Sequence, residues 1–283
     1  METNRYSGHL RKMATEHTCQ GDSHNVQYQL VLDEQLIGLN QYIGSQLSIH
    51  YDNLIHCIHC GRKSNKSFSQ GYCYPCFKKL AQCDSCIMSP EKCHYDAGTC
   101  REPEWADEFC MTDHIVYLAN SSGIKVGITR LNQVPTRWMD QGAKQALPIF
   151  RVATRQLSGF VEDAFREYVG DRTNWRALLK GDADDVDLAA LRDELFEKTR
   201  SAISSLQSEH GVQAIQPITD GEVYEFSYPV ATYPDKIKSH NLDKTPQVSG
   251  LLQGIKGQYL ILDTGVINLR KFTGYQVDIA ITP

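Results

Sequence analysis

Ile115-Val116-Tyr117-Leu118-Ala119-Asn120-Ser121-Ser122-Gly123-Ile124-Lys125-Val126-Gly127-Ile128-Thr129 reads as two β-strands joined by a three-residue loop. β-Branched residues recur in both arms, and Ser121-Ser122-Gly123 supplies the turn, with Gly123 where a left-handed backbone is needed. An odd-numbered loop sets the register. Tyr117 then faces Gly127 and Ala119 faces Lys125, so the side chains of residues 117 and 125 leave the same face of the hairpin.

Upstream of this hairpin, nine of the ten cysteines fall within the 54 residues from Cys57 to Cys110. Cys57-x2-Cys60, twelve residues, then Cys73-x2-Cys76 is the paired-knuckle spacing of a four-thiolate zinc site. Cys83, Cys86, Cys93 and Cys100 form a second expected quartet, with Cys110, His94 or His114 as substitutes and an interleaved arrangement left open. Complete thiolate shells leave no coordination position for water, so two structural Zn²⁺ ions are expected. An iron–sulfur cluster fits the long separation less well. Disulfides need an oxidising compartment, and the opening Met1-Glu-Thr-Asn-Arg lacks the apolar segment of a signal peptide, so a cytoplasmic protein is expected. So short a stretch with few aliphatic residues cannot bury a core of its own, and metal binding supplies the missing folding energy. Cys19 stands apart and reads as an ordinary buried thiol.

The 283 residues have room for two or three modest domains, and 41% apolar content is ordinary for a globular chain. No apolar run reaches membrane-spanning length, so no membrane partner is expected. A net charge of −5 excludes an indiscriminate polycation. From Lys125 to Lys180, however, ten basic residues face five acidic ones, a balance suited to a phosphate-bearing substrate. Phe68, Tyr72, Tyr74 and Phe77 stand among Arg62, Lys63, Lys66, Lys78 and Lys79; they suit a small core around the first zinc, or a stacking platform for bases.

The organisation reads as α+β and multi-domain. An amino-terminal β region (1–56) precedes the cysteine-rich module (57–114), the hairpin module (115–180), an amphipathic helix (181–211) ending at Gly211, and a carboxy-terminal β region (212–283) forming a barrel or sandwich. Within the hairpin module a short helix is expected over Pro135–Gln141 and a second over Phe160–Val169, opening after Ser158-Gly159. The amino-terminal strands are expected to join the carboxy-terminal ones in a single β domain.

Residues 114 to 180 resemble the GIY-YIG nuclease superfamily, in the branch where lysine replaces the second tyrosine of the motif. Ile115-Val116-Tyr117 stands where that family has Gly-Ile-Tyr, and Lys125-Val126-Gly127 where it has Tyr-Ile-Gly; Thr129 repeats a threonine that often follows. Arg137 matches the catalytic arginine, Glu162 the metal-binding glutamate, and Asn174 a later asparagine. The resemblance implies an endonuclease that hydrolyses phosphodiesters in DNA or structured nucleic acid, DNA before RNA, with one Mg²⁺ or Mn²⁺ held by Glu162 and no covalent intermediate. Tyr117 would orient or deprotonate water, Arg137 would stabilise charge at phosphorus, and Lys125 would act as a second cation or a proton acceptor. Ile115, Lys125 and Gln141 depart from the family pattern, the last replacing a histidine, so a non-catalytic nucleic-acid-binding protein is the alternative. Asn174 also suits a helix cap, and Arg137 a surface pair with Asp140. The run Gly-Tyr-Cys-Tyr-Pro-Cys, Lys-Val-Gly-Ile-Thr-Arg, Arg-Trp-Met-Asp-Gln-Gly-Ala and Gly-Ile-Lys-Gly-Gln-Tyr-Leu is similar to a microbial family catalogued as a domain of unknown function.

Overall fold

The computed structural model describes residues 2–20 and 23–283. Alternation of apolar and polar residues builds two open sheets of seven and eight strands. In the first, the order is Asn4–His9, Tyr275–Thr282, Gln46–His56, Gln247–Lys256, Tyr259–Leu262 and Gly265–Asn268, with the short Lys63–Ser64 also paired to Gln46–His56. In the second it is Ala14–Gln20, Ser23–Leu32, Tyr224–Ser227, Gln145–Val152, His114–Asn120 and Ile124–Arg130, with Gln35–Gly38 also paired to Ser23–Leu32 and Ile215–Pro217 to Gln145–Val152. All pairings between these strands are antiparallel except that of Tyr224–Ser227 with Ser23–Leu32. Neither sheet closes into a barrel. They pack face to face as a sandwich, with Val26, Tyr28 and Leu30 of the second sheet and Ile49, Val248 and Val277 of the first in one continuous core.

The α+β class follows the sequence reading, and the two chain ends do meet: Asn4 pairs with Ile281. The hairpin of residues 114–130, however, extends the sheet of the amino-terminal hairpin instead of standing apart. Its odd-numbered side chains Ile115, Tyr117 and Ala119 enter the sandwich core, while Val116 and Leu118 face the opposite way. On that opposite side the second sheet is covered by the helices Arg155–Arg166 and Leu188–His210, through Val161, Phe165, Leu195 and Ile203. The result is three layers, sheet on sheet on helices.

Two helix readings shift. The short helix spans Thr136–Asp140. The longer one begins at Arg155, not at Phe160, because the Thr154 side chain caps it by accepting from Leu157 N–H. Ser158-Gly159 therefore lies inside the helix. Gly159 is there for contact, since a Cβ would sit 2.7 Å from Glu91 N and 2.8 Å from Pro90 Cβ. The strand Gln247–Lys256 escaped the sequence reading for the same reason: Gly250 and Gly254 look like breaks, yet each is crowded, by Asp263 and Val230 respectively.

One buried polar side chain ties the amino-terminal segment to the first sheet. Gln258 accepts from Met13 N–H at 2.9 Å, and its amide donates to Met13 O at 3.2 Å and Asp140 Oδ1 at 3.1 Å. Gln258→Leu leaves both backbone groups of Met13 unpaired in the interior and is expected to cost about 2–4 kcal/mol. Urea denaturation checks this as a lowered midpoint at unchanged slope; an unshifted midpoint refutes it.

Candidate functional site

One edge strand of the second sheet is Ile124–Arg130. Here groups from both faces of the sheet reach one hollow of about 250 Å³. The hairpin has the expected register, Tyr117 opposite Gly127 and Ala119 opposite Lys125, with Gly123 at φ 126°. Gly127 has no side chain because the Tyr117 ring occupies that space: a Cβ would meet its Cζ and Oη at 2.8 Å. Trp138, fully buried, packs edge-on behind the ring at 5.6 Å. Tyr117 and Lys125 are almost wholly buried, yet both line the hollow, together with Arg137 from the short helix, Gln141 directly after it and Glu162 from the helix Arg155–Arg166. Ile87, Met88 and Pro90 of the cysteine-rich segment form one wall. Arg155 fixes that wall by donating to Ile87 O at 2.6 Å.

Five of the lining residues are cations (Lys125, Arg137, Arg155, Arg166, Arg172) and two are carboxylates (Glu162, Asp171). Gln141 Oε1 accepts from both Tyr117 Oη and Lys125 Nζ, each at 2.9 Å, and Lys125 also donates to Thr173 Oγ1 at 2.8 Å. Burial, with the Arg137 guanidinium nearby, brings the Lys125 ammonium down to about 8. Burial raises the Tyr117 phenol despite Arg137 beside it, so the phenol keeps its proton. Glu162 is also raised by burial, and Arg166, donating to its Oε2 at 3.0 Å, only partly offsets this. Glu162 lies in the third turn of its helix, so the helix dipole does not account for its position.

Other expectations change. Arg137 does not pair with Asp140, which Lys12 and Gln258 engage instead. Asn174 is not among the lining residues: its Oδ1 accepts from Arg176 and Ala177 N–H and caps the helix Trp175–Leu178. Gln141 stood out in the sequence only as the replacement of the family's histidine, and Thr173 carried no signal, because hydroxyls in loops are common; Arg155 and Arg166 were visible only as part of the basic excess.

The first cysteine quartet is gathered. Cys57 follows the strand Gln46–His56, Cys60 lies within a turn closed by Gly61 N–H on Cys57 O, and Cys73 and Cys76 open the helix Tyr74–Lys79. The four sulfurs lie within 4.8 Å of one another, and Cys60 and Cys73 are 3.8 Å apart. A tetrahedral ion with bonds of about 2.3 Å requires that edge to be roughly 3.8 Å. Burial pushes the Cys57 thiol up, but N–H groups of Cys60, Cys73 and His59 outweigh it and bring it down to about 6; Cys76 is raised by burial and by its neighbouring thiols. Four sulfurs so close can share one cation, and a structural zinc fits them. Phe68 stacks on Phe77 beside this knuckle, while Tyr74 is more than half exposed.

The second expected quartet is not brought to one point. Cys83 turns toward Ser69, on the first knuckle's loop, whereas Cys86, Cys93, Cys100 and Cys110 influence one another around Arg155. The donors that do converge here are Asp84, Cys86 and His94. His114 is buried, its Nδ1 against Thr112 O.

The purified protein is expected to carry zinc. Cys60→Ser should remove one equivalent by elemental analysis and lower the melting temperature, and an unchanged metal content rules out the knuckle as a zinc site. Among the described residues no helix is long and apolar enough to cross a membrane. No curated protein and no solved structure matches the chain. The family model for a protein of unknown function, DUF2797, matches residues 44–277, from the core strand before the first knuckle to the last strand of the first sheet. The chain belongs to the DUF2797 family.

Proposed function

We propose that the protein is a zinc-stabilised, divalent-metal-dependent endonuclease that hydrolyses phosphodiester bonds in nucleic acid, with DNA the favoured substrate. The observation that carries this reading is the convergence of Tyr117, Lys125, Arg137 and Glu162 on one hollow with a cationic rim. A phosphodiester needs countercharge, a positioned water and a proton acceptor, and side chains from three separate segments are available for these tasks.

Arg137 is half-buried, engages Tyr117 and has no carboxylate partner among the described residues, so its guanidinium has donors left for a phosphate and for the charge that builds on it in the transition state. The water oxygen attacks phosphorus, the opposite P–O bond breaks, and the water proton passes to Lys125. That assignment follows from hydrogen bonding. A neutral amine has two N–H donors, which Gln141 and Thr173 accept, and one lone pair left for a proton. Tyr117, held in its phenol form, orients water and does not deprotonate it. Glu162, with Asp171 nearby, would hold a Mg²⁺ or Mn²⁺ ion; such an ion would neutralise charge on the leaving oxygen.

Gln141 engaging both Tyr117 and Lys125 also suits a site at rest, and a non-catalytic nucleic-acid-binding role is the competing reading. Incubation of the purified protein with branched and linear DNA and Mn²⁺ separates them. Cleavage is expected, reduced about 10²–10³-fold by Arg137→Ala and by Glu162→Ala. Salt-sensitive binding without cleavage, unaffected by Glu162→Ala, favours the competing reading.

The pH dependence has a defined sign. Below about pH 8 Lys125 is protonated and cannot accept a proton, so the rate should climb with pH and level off above that value. Lys125→Met should remove the limb along with most of the activity. A rate that falls through this range would assign Lys125 the role of a cation instead.

A further inference from the structure

A second group of soft donors lies away from the hollow and from the cysteine-rich segment, on the hairpin Ala14–Gln20 and Ser23–Leu32. His17 and Cys19 are two residues apart on one strand and so share a face, and the register places Cys19 opposite His24. The donor atoms of His17, Cys19 and His24 all lie within 4.8 Å of one another. Cys19 Sγ is 3.4 Å from His24 Nδ1, and the two imidazole centroids are 4.6 Å apart, edge to face. The His24 ring is held in place by stacking on Tyr224 at 5.4 Å and by contact with Phe226. Cys19, expected from the sequence to be buried, is exposed.

A thiol–imidazole hydrogen bond accounts for Cys19 and His24 but not for the third donor beside them. We propose that His17, Cys19 and His24 bind one late first-row transition-metal ion, Zn²⁺ or a close relative, at an open surface site. Two imidazoles and a thiolate are borderline-soft donors that select such ions over Mg²⁺ or Ca²⁺. Binding forms three metal–ligand bonds, releases the Cys19 thiol proton to solvent and involves no change of oxidation state. The three protein ligands leave at least one coordination position to water or to a small exogenous ligand.

The test uses the full chain with its structural zinc in place, titrated with Co²⁺. Wild type is expected to take up one equivalent more than Cys19→Ser, with sulfur-to-cobalt charge-transfer absorption in the near ultraviolet and ligand-field bands in the visible. His17→Gln should lose the same equivalent, with zinc content and melting temperature in the metal-free buffer equal to wild type. Equal uptake and superimposable spectra in wild type and Cys19→Ser overturn the proposal. So does loss of the signal in Cys19→Ser alone, which would identify a thiol adduct without imidazole ligands.

Discussion

The contact of Gly159 with Pro90 and Glu91 is the constraint on which the candidate site depends. The cysteine-rich segment has little core of its own, so its position relative to the sheets must come from a few close contacts. At Gly159 the helix backbone lies bare, and the segment approaches to within a distance that excludes even a methyl group. Gln156 secures the same contact by donating to Cys93 O, and Arg155 N–H by meeting Cys110 O. The first turns of one helix thus hold the cysteine-rich segment, and its third turn carries Glu162 into the hollow that the segment walls.

The remaining walls come from strand geometry. At the last strand of a sheet both faces are within reach of a single cavity, which is how a phenol from the sandwich side and a carboxylate from the helix side come together. The strand is not left as a bare edge: Val126 N–H meets Gly170 O, and the segment leading to Thr173 runs alongside. Enclosure has an electrostatic effect. Lys125 and Glu162 are both moved toward their neutral forms by loss of water; the surplus of cations around them adds to this at Lys125 and opposes it at Glu162. Desolvation outweighs the pairwise charges here, as expected for groups this deeply buried.

Features that depend on local chemistry were legible in the sequence. Loop length gave the Tyr117–Gly127 register, cysteine spacing gave the first knuckle, and Gly211 ends the helix Leu188–His210 as expected. Features that depend on crowding were not. Glycines at 159, 250 and 254 look like breaks on paper and are close contacts in space. Cys83, Cys86, Cys93 and Cys100 have spacing without geometry, because nothing in the spacing tells which sulfurs the intervening turns bring together. Gln141 and Thr173 matter only through their positions beside Lys125, and Cys19 only through strand pairing with His24.

The first sheet seats Tyr275–Thr282 between Asn4–His9 and Gln46–His56. The strand Asn4–His9 therefore takes its ladder partners from residues 276–281, while His9 also meets Asp33 nearer in sequence. Contacts of such long sequence separation slow folding. The sheet is fastened across the described chain like a clasp.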